Sequence, residues 1–286
     1  KYGAEGMLLT DWGDHGHYGV LSVNFYSYLL GAAVSWEGQP FSLAEFEEGL
    51  ESVQFRGEPW LELYNGLASI YDLPGIWSKN RSQCVIALFD EPLFGQTAAG
   101  PVPPKTLVPL KPLPSDVKPV MEEEGHHWLR PIFQLTDEVL DSIDEKIMML
   151  KPKVNQLSHQ TARKEFEFVM DCFSVMTKKT RFGRQVRRCF ADRTVNVDML
   201  LDFELEAQRL KQLYARLLID FQHVWFARSS EAEIYISITH FANIISRLDY
   251  VHKWLTKQRK AMNKSLFVDL DFTTYQTCGY QSLPTF

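Results

Sequence analysis

The stretch DMLLDFELEAQRLKQLYARLLIDFQHVWFA, residues 198–227, decides the fold class of this chain. Large apolar side chains recur in it mostly every three or four positions: Leu201, Leu205, Leu210, Leu213, Leu217, Phe221, Val224 and Trp225. This spacing places them on one side of an α-helix. The stretch therefore predicts a long amphipathic helix that needs apolar neighbours to cover one side.

Similar patterns predict helices on both sides of this stretch. The predicted ranges are 22–36, 42–53, 59–71, 83–89, 122–150, 161–176 and 230–262. Ser42-Leu-Ala-Glu45 and Ser230-Glu-Ala-Glu233 each match a capping box, in which Ser begins a helix and Glu reaches back. The connections between the last helices are short, which predicts an antiparallel bundle.

Eight of the fourteen prolines fall within residues 92–119. Proline fixes φ and removes a backbone donor, so this range is predicted to be an extended linker and a domain boundary. The predicted organisation is a βα unit (1–36), a helical segment (37–91), the linker (92–119), a helical bundle (120–262) and an extended tail (263–286).

The composition narrows the classes of function. With 45% hydrophobic and 13% aromatic residues, the 286-residue chain is expected to fold, and its net charge of −6 argues against nucleic-acid binding. No apolar run reaches the roughly 18 residues of a membrane span. No signal peptide is expected, which favours a cytoplasmic location. The cysteines, Cys84, Cys172, Cys189 and Cys278, follow neither disulfide-framework nor zinc-site spacing.

The stretch GMLLTDWGDHGHYG, residues 6–19, has the character of a binding site. Its apolar start predicts a buried parallel strand over 6–10, and ligands of α/β folds sit at the carboxyl ends of such strands. There the chain places Asp11, Trp12 and Asp14, followed by His15 and His17. An indole that packs on a sugar ring, beside carboxylates that accept from its hydroxyls, suits a carbohydrate.

Two other interpretations of this stretch stay open. Asp and His are metal ligands, although their spacing here matches no specific site, and Asp11 or Asp14 could simply cap the next helix. A lone strand also leaves unpaired backbone groups. Residues 7–11 are therefore expected to pair with a second chain, to pack against the helices or to be disordered.

Residues 3–36, GAEGMLLTDWGDHGHYGVLSVNFYSYLLGAAVSW, resemble the last barrel strand and following helix of family 20 glycoside hydrolases. The resemblance is to bacterial β-N-acetylhexosaminidases that carry an additional helical C-terminal domain. It implies that Trp12 forms a wall of the pocket for the terminal N-acetylhexosamine. Asp14, where Glu is commoner, would bind the outer hydroxyls of that sugar. Residues 221–251 are similar to a helix junction of the same group, with Ser229 in place of Asn.

The resemblance also implies what this chain does not contain. These enzymes hydrolyse with retention through the substrate's own acetamido group, assisted by an Asp-Glu pair on a middle barrel strand, upstream of the last one. Asp90-Glu91 follows the Trp12 motif and is interpreted as a solvated helix end. The expected fold is thus mainly α, a helical bundle preceded by one terminal βα unit of a truncated (β/α)8 barrel. Since the chain begins with Lys1, we expect the polypeptide to start upstream.

The predicted function is that of a C-terminal glycosidase fragment, inactive alone and without a cofactor. Its predicted substrate-binding residues are Trp12, Asp14 and Asp11. The expected partners are an N-acetylhexosamine held together with the rest of the barrel and, through the helical domain, a second copy of the chain; no membrane or nucleic acid is expected. The alternative is a non-catalytic helical module that binds proteins through the proline-rich range or the bundle surface.

Three weaker features are given structural interpretations. The basic run KKTRFGRQVRR, residues 178–188, is predicted to be a solvated helix end that pairs with acidic neighbours. Asp137-Glu138 and Asp144-Glu145 are predicted to be surface charges. His126 and His127 are adjacent, so on a helix they point about 100° apart and make a poor ligand pair.

Overall fold

A computed structural model describes residues 6, 8–9, 18–36, 41–78, 81–89, 92–93, 135–232 and 234–263. Within these ranges the chain is mainly helical, as predicted. The α-helices are α1 (Leu21–Trp36), α2 (Leu43–Gly49), α3 (Trp60–Tyr71), α4 (Gln83–Phe89), α5 (Asp137–Val154), α6 (Gln160–Ala191), α7 (Val197–Phe226) and α8 (Ile234–Asn263). Strands β1 (Trp77–Ser78) and β2 (Arg81–Ser82) form a two-residue antiparallel ladder.

Helix α2 begins as its capping sequence predicts. Ser42 has an extended backbone conformation, and its side chain accepts a hydrogen bond from the Glu45 N–H at 3.3 Å. The helix then passes into a π-helical turn at Leu50–Phe55, which the sequence did not predict. Arg56 ends that turn in the left-handed region at φ 50°, and Gly57 follows at φ 78°.

Ion pairs show that α5 and α6 run antiparallel. Arg184 near the end of α6 pairs with Asp137 at the start of α5 (2.8 Å), and Lys151 near the end of α5 pairs with Asp171 nearer the start of α6 (3.1 Å). Arg181 bridges between these points to Asp141 at 2.6 Å. The predicted antiparallel arrangement is confirmed for this pair of helices.

Helices α7 and α8 form a second antiparallel pair with a buried charge between them. The Glu204 carboxylate accepts from Arg259 Nε at 2.5 Å and Nη2 at 3.2 Å, and from the Thr256 hydroxyl at 2.9 Å. Burial acts to raise the pKa of Glu204, but these hydrogen bonds outweigh it and hold the pKa below its usual range. Lys211 pairs with Asp249 further along the same interface, at 2.5 Å.

One continuous apolar core joins the helices before and after the proline-rich range. Helix α3 packs on α5, and α4 packs on α6. The largest fully buried side chains come from both regions: Phe89, Phe166, Tyr214, Phe221 and Phe241. The division at 92–119 stays a prediction, and only Pro92 and Leu93 of that range are described.

Three predicted helix boundaries are wrong. The predicted helix 122–150 is not continuous: α5 begins at Asp137, because Thr136 is extended and its side chain accepts from the Val139 N–H at 3.3 Å, and residues 122–134 lie outside the described residues. Helix α6 continues past 176 to Ala191 because apolar side chains still face the core beyond that point. Helix α8 starts at Ile234, so Ser230 does not cap it; the Ser230 carbonyl accepts from Trp225 Nε1 instead.

The predicted strand over 6–10 is not observed at its described positions. Gly6, Leu8 and Leu9 have no regular secondary structure. Leu9 packs instead against α1, where its Cδ2 lies 2.8 Å from the point that a Cβ on Gly31 would occupy. Packing against the helices is one of the three outcomes expected above for residues 7–11. The tail beyond Asn263 lies outside the described residues.

No helix that the structure describes is both long enough and apolar enough to span a bilayer.

Candidate functional site

The predicted sugar-binding residues Asp11, Trp12 and Asp14 lie outside the described residues, as do His15 and His17. The structure describes the chain on both sides of them. Leu9 packs on α1 before the stretch, and Tyr18 enters the bundle after it. We call residues 10–17 the site loop, a label for their place in the sequence between Leu9 and Tyr18. The contacts that the structure describes for the candidate site are therefore those of the residues on either side of this segment.

Tyr18 fixes the end of the site loop in the aromatic core. Its ring centroid lies 4.7 Å from that of Phe89 and 6.0 Å from those of Phe221 and Phe241. Its hydroxyl shares a hydrogen bond with Nδ1 of His240, a buried residue of α8. A ring packed against three others and bonded at its polar end has little freedom to turn.

Ser22, in the first turn of α1, is the second anchor. Its backbone N–H donates to Glu165 Oε2 at 2.9 Å, and its carbonyl accepts from the Tyr64 hydroxyl at 2.7 Å. Its Oγ accepts from Arg228 Nη2 at 3.2 Å. Ser22 is 4% exposed, so these bonds form away from water. Residues of α3, α6 and the segment after α7 thus converge on one residue of α1.

The buried Glu165 forms an ion pair with the partly exposed Arg228 beneath the start of α1. Arg228 Nε lies 2.9 Å from Glu165 Oε1, and its Nη2 lies 3.4 Å from Oε2. The Glu165 side chain is 1% exposed and that of Arg228 is 33% exposed. The first N–H groups of a helix lack partners and carry partial positive charge. Because α1 has no acidic residue in its first turn, Glu165 supplies from α6 the carboxylate that this helix end favours.

The negative charge of Glu165 also acts on Tyr64. Burial raises the pKa of the Tyr64 hydroxyl, and the Glu165 carboxylate raises it further. The hydroxyl therefore stays protonated and remains a donor to the Ser22 carbonyl over the whole physiological pH range.

A cleft of about 270 Å³ opens beside this ion pair. Its wall includes Gly19 just before α1, Asn24 and Tyr28 in α1, Trp225 in α7 and Ser229 just after α7. The cleft therefore adjoins the segment that leads out of the site loop. Its mixture of aromatic, amide, hydroxyl and guanidinium groups can contact a polar ligand, but its volume is below that of most ligand pockets.

A larger, more open groove of about 620 Å³ lies between α2, α3 and α5. Its walls carry Glu47, Glu48 and Glu51 above the apolar side chains of Leu61 and Met149. Glu47 of this groove accepts a 2.7 Å hydrogen bond from the Tyr26 hydroxyl, and burial together with this bond raises the pKa of Tyr26 to about 12. Among the described residues no group of three His, Cys, Asp or Glu side chains could hold a metal ion, here or elsewhere.

Helix α1 has an unusual surface for an exposed helix. LSVNFYSYLLGAAVSW contains no charged residue, yet Ser22 is the only buried member of this helix. Leu21 and Val34 are 44% and 47% exposed, and Trp36 is 91% exposed. Leu8, which precedes the site loop, is 84% exposed. Uncharged helices without a polar side are normally covered all round.

The basic run on α6 behaves in part as predicted. Arg181 and Arg184 pair with acidic residues of α5, which confirms the predicted pairing, and Asp137 and Asp144 are surface charges engaged in it. Lys179 and Arg187 of the same run are buried, contrary to the solvated helix end predicted. Arg187 donates to the Leu93 carbonyl at 3.0 Å. The predictions for Asp90-Glu91 and for His126 and His127 fall outside the described residues.

Sequence reasoning missed Glu165. The available signal was a carboxylate within the apolar stripe of α6, next to Phe166 and one turn from Val169. Arg228 lies in the helix junction on which part of the family resemblance rests, but that motif does not indicate that Glu165 is its partner.

No protein-family model, no curated protein and no solved structure matches this chain.

Proposed function

We propose that this chain is the C-terminal part of a glycosidase that removes terminal β-linked N-acetylhexosamine. In this proposal α1 is the last helix of a (β/α)8 barrel, and the helical bundle is an additional domain that supports it. The chain contributes Trp12, Asp14 and Asp11 to the pocket for the terminal sugar. The catalytic acid belongs to an earlier part of the barrel.

The uncharged surface of α1 is the observation that carries this proposal. A 16-residue helix with no charge and with Trp36 91% exposed leaves a large apolar area facing solvent. The outer helices of a barrel pack on the strands inside and on helices at either side. Preceding βα units of a barrel would cover the surface that is exposed here, including Leu8.

The anchors of the site loop support the same proposal. Loops at the carboxyl ends of barrel strands form the active sites of barrel enzymes, and they need fixed ends to present their side chains. Here Leu9 packs on α1 before the loop, and Tyr18 and Ser22 are held in the bundle after it. These contacts support the proposal that the bundle is a rigid base for a substrate-binding segment.

The site loop is expected to bind the sugar rather than to catalyse its hydrolysis. The Trp12 indole would pack against the apolar C–H groups of the sugar ring, and Asp14, together with Asp11, would accept hydrogen bonds from its hydroxyls. The substrate's acetamido oxygen then attacks the anomeric carbon while an acid from the earlier barrel strands protonates the leaving oxygen. This chain alone is therefore expected to bind the sugar without hydrolysing it.

Saturation-transfer NMR on the purified chain tests the binding. N-acetylglucosamine is expected to receive saturation from the wild-type protein at millimolar concentration, and Trp12→Ala is expected to abolish the effect. Trp36→Ala is the matched control, because this second tryptophan is 91% exposed at the far end of α1. Equal transfer to the wild type and to Trp12→Ala would contradict the role of Trp12. No transfer to the wild type would favour the non-catalytic interaction module.

An assay with an aryl β-N-acetylglucosaminide tests the division of roles. No turnover is expected from the 286-residue chain. Turnover by the purified chain that is lost on Asp14→Asn would show that the catalytic groups lie within it, and would overturn the assignment of the acid to the earlier barrel strands.

A further inference from the structure

We propose that the groove between α2, α3 and α5 docks a basic amphipathic helix of a partner protein. The apolar base of the groove would receive the apolar side chains of that helix, and the carboxylates on one wall would pair with its Lys or Arg side chains. This inference goes beyond sugar binding and does not depend on it. The residues that carry it all lie in α2, α3, α5 and the π-helical turn at Leu50–Phe55.

The charge of the groove has one predominant sign. Among the described residues that line it, four are Glu and one is Lys, a formal charge of −3. The one ammonium, that of Lys153 on α5, pairs with Glu62 on α3. Glu48 and Glu51, on α2 and the π-helical turn, are exposed, and neither side chain has a hydrogen bond or an ion pair with another described residue. Uncompensated negative charge is therefore concentrated on one wall.

This concentration of charge is unfavourable in the free chain. Glu47 and Glu48 lie four and three residues before Glu51, and all three line the same groove. Like charges at such spacings destabilise a helix. Positive charges spread along this wall would relieve the repulsion. The wall therefore favours a partner that carries several basic groups.

The base of the groove is apolar and closely packed. Leu61 of α3 and Leu150 of α5 are buried there, and the Leu150 side chain occupies the space that a Cβ on Gly66 would need. Helices α3 and α5 are thus in close contact beneath the groove. Met149 also lines the groove and is exposed. Methionine is unbranched and flexible, so it can adapt to apolar side chains of different shapes.

Two arguments favour a helix over other cationic partners. The walls are helices, whose backbone groups are already paired, so an extended peptide would find no strand edge there to bond its own N–H and C=O groups. A helix satisfies these groups internally and presents apolar residues along one side, with basic residues beside them. A polyamine would match the carboxylates but would leave the apolar base in water.

Fluorescence anisotropy with a synthetic peptide tests the proposal in the full chain. The probe contains about 18 Leu and Lys residues, with Leu at helical spacing so that one side is apolar. A scrambled isomer keeps the composition and the charge but has no apolar side. We expect a dissociation constant of about 10 μM for the amphipathic probe and binding about tenfold weaker for the scrambled one.

A pair of charge reversals locates the binding. Glu48→Lys/Glu51→Lys reverses the unpaired charges of the groove. Glu167→Lys/Asp202→Lys makes the same change in net charge at exposed positions of α6 and α7 outside the groove. The first is expected to weaken binding of the probe about tenfold and the second by less than about twofold, because only the first removes local pairing. Equal weakening would show a general effect of net charge and would overturn the proposal.

A second comparison tests the apolar base. Met149 and Met148 are 69% and 68% exposed, but of these two only Met149 lines the groove. Met149→Gln is expected to weaken binding of the probe about threefold, because apolar contact area is lost, while Met148→Gln leaves it unchanged. The same affinity in both variants would refute the contact with the base.

Lys153→Gln gives a result that loss of structure cannot imitate. It removes the ammonium from the groove and leaves the Glu62 carboxylate available to the partner, at little cost because this ion pair is largely exposed. Binding of the probe is expected to strengthen about threefold, with an unchanged circular dichroism spectrum. Unchanged or weaker binding would overturn the role of the carboxylates.

Other occupants of the groove would give different results. No binding of the amphipathic probe by the wild type, or equal binding of the scrambled probe, overturns the proposal. Displacement of the probe by spermidine at equal concentration of positive charge would show a site for simple cations instead. Self-association of the wild type that is lost in Glu48→Lys/Glu51→Lys, measured by sedimentation velocity, would show that a second copy fills the groove. None of these results bears on the proposed function, because none measures sugar binding.

Discussion

Tyr214→Phe is expected to destabilise the fold more than the same change at Tyr64, although both remove only a buried hydroxyl. Tyr214 is fully buried in α7, and its hydroxyl donates to the Leu88 carbonyl at 2.5 Å. In an α-helix, that carbonyl would accept from the N–H four residues later. That residue is Pro92, which has no N–H. The Tyr214 hydroxyl therefore takes the place of a backbone donor at the end of α4.

The loss of folding free energy depends on whether the carbonyl still has a hydrogen-bond donor after the substitution. In Tyr214→Phe the buried Leu88 carbonyl loses its side-chain donor, which costs about 2 kcal/mol. In Tyr64→Phe the carbonyl of Ser22 keeps its donor within α1, so the cost is about 0.5–1 kcal/mol. The ring remains in both variants, so neither creates a large cavity.

Thermal unfolding followed by circular dichroism at 222 nm measures the difference. For a chain of this size, about 1 kcal/mol corresponds to roughly 2–4 °C in the midpoint. We therefore expect a loss of roughly 4–8 °C for Tyr214→Phe and roughly 1–4 °C for Tyr64→Phe. A midpoint for Tyr214→Phe at or above that of Tyr64→Phe would refute the reasoning about the Leu88 carbonyl.

Two further predictions concern acid stability and backbone strain. Because the pKa of Glu204 is lowered by Arg259, its contribution to stability is present above the unfolded-state pKa and is lost as the pH falls through the folded-state value. The urea midpoint of the wild type is thus expected to fall more steeply from pH 5 to pH 3 than that of Glu204→Gln, and parallel curves would contradict this. Gly57→Ala is expected to cost about 1–2 kcal/mol, because Gly57 has φ +78° although a Cβ would meet no neighbour within 4 Å. Gly49→Ala, in a helical and equally open position, is expected to stabilise by about 0.5–1 kcal/mol, and denaturation midpoints that fail to move in opposite directions would disprove this comparison.

The sequence predicts most of the helices because their apolar periodicity is strong. Helix α4 was predicted at 83–89 and is observed at Gln83–Phe89, and α7 was predicted within one residue at each end. The N-cap at Ser42 could also be predicted from the sequence, because a capping side chain bonds a backbone N–H only two or three residues away. These features depend on residues that are close in sequence, so no knowledge of the tertiary structure is needed.

The failures depend on distant residues. After position 176, α6 turns basic, and its continuation depends on partners in α5 such as Asp141 and on core contacts of Phe182. The π-helical turn at Leu50–Phe55 has no local signal that we can identify. At the site, the odd position of Glu165 in an apolar stripe is visible. Its partners Ser22 and Arg228 are 143 and 63 residues away and could not be inferred.

The anchoring of α1 has a consequence for how the protein is made. Tyr18 and its partner His240 are separated by 222 residues. A ribosome that adds roughly 5–20 residues per second needs roughly 10–45 s to synthesise that interval. During this time the emerging chain carries an uncharged, aromatic segment whose final contacts do not yet exist. Nascent chains of this protein should therefore depend on chaperones at that stage, and C-terminal truncations that remove α8 should aggregate rather than simply lose one helix.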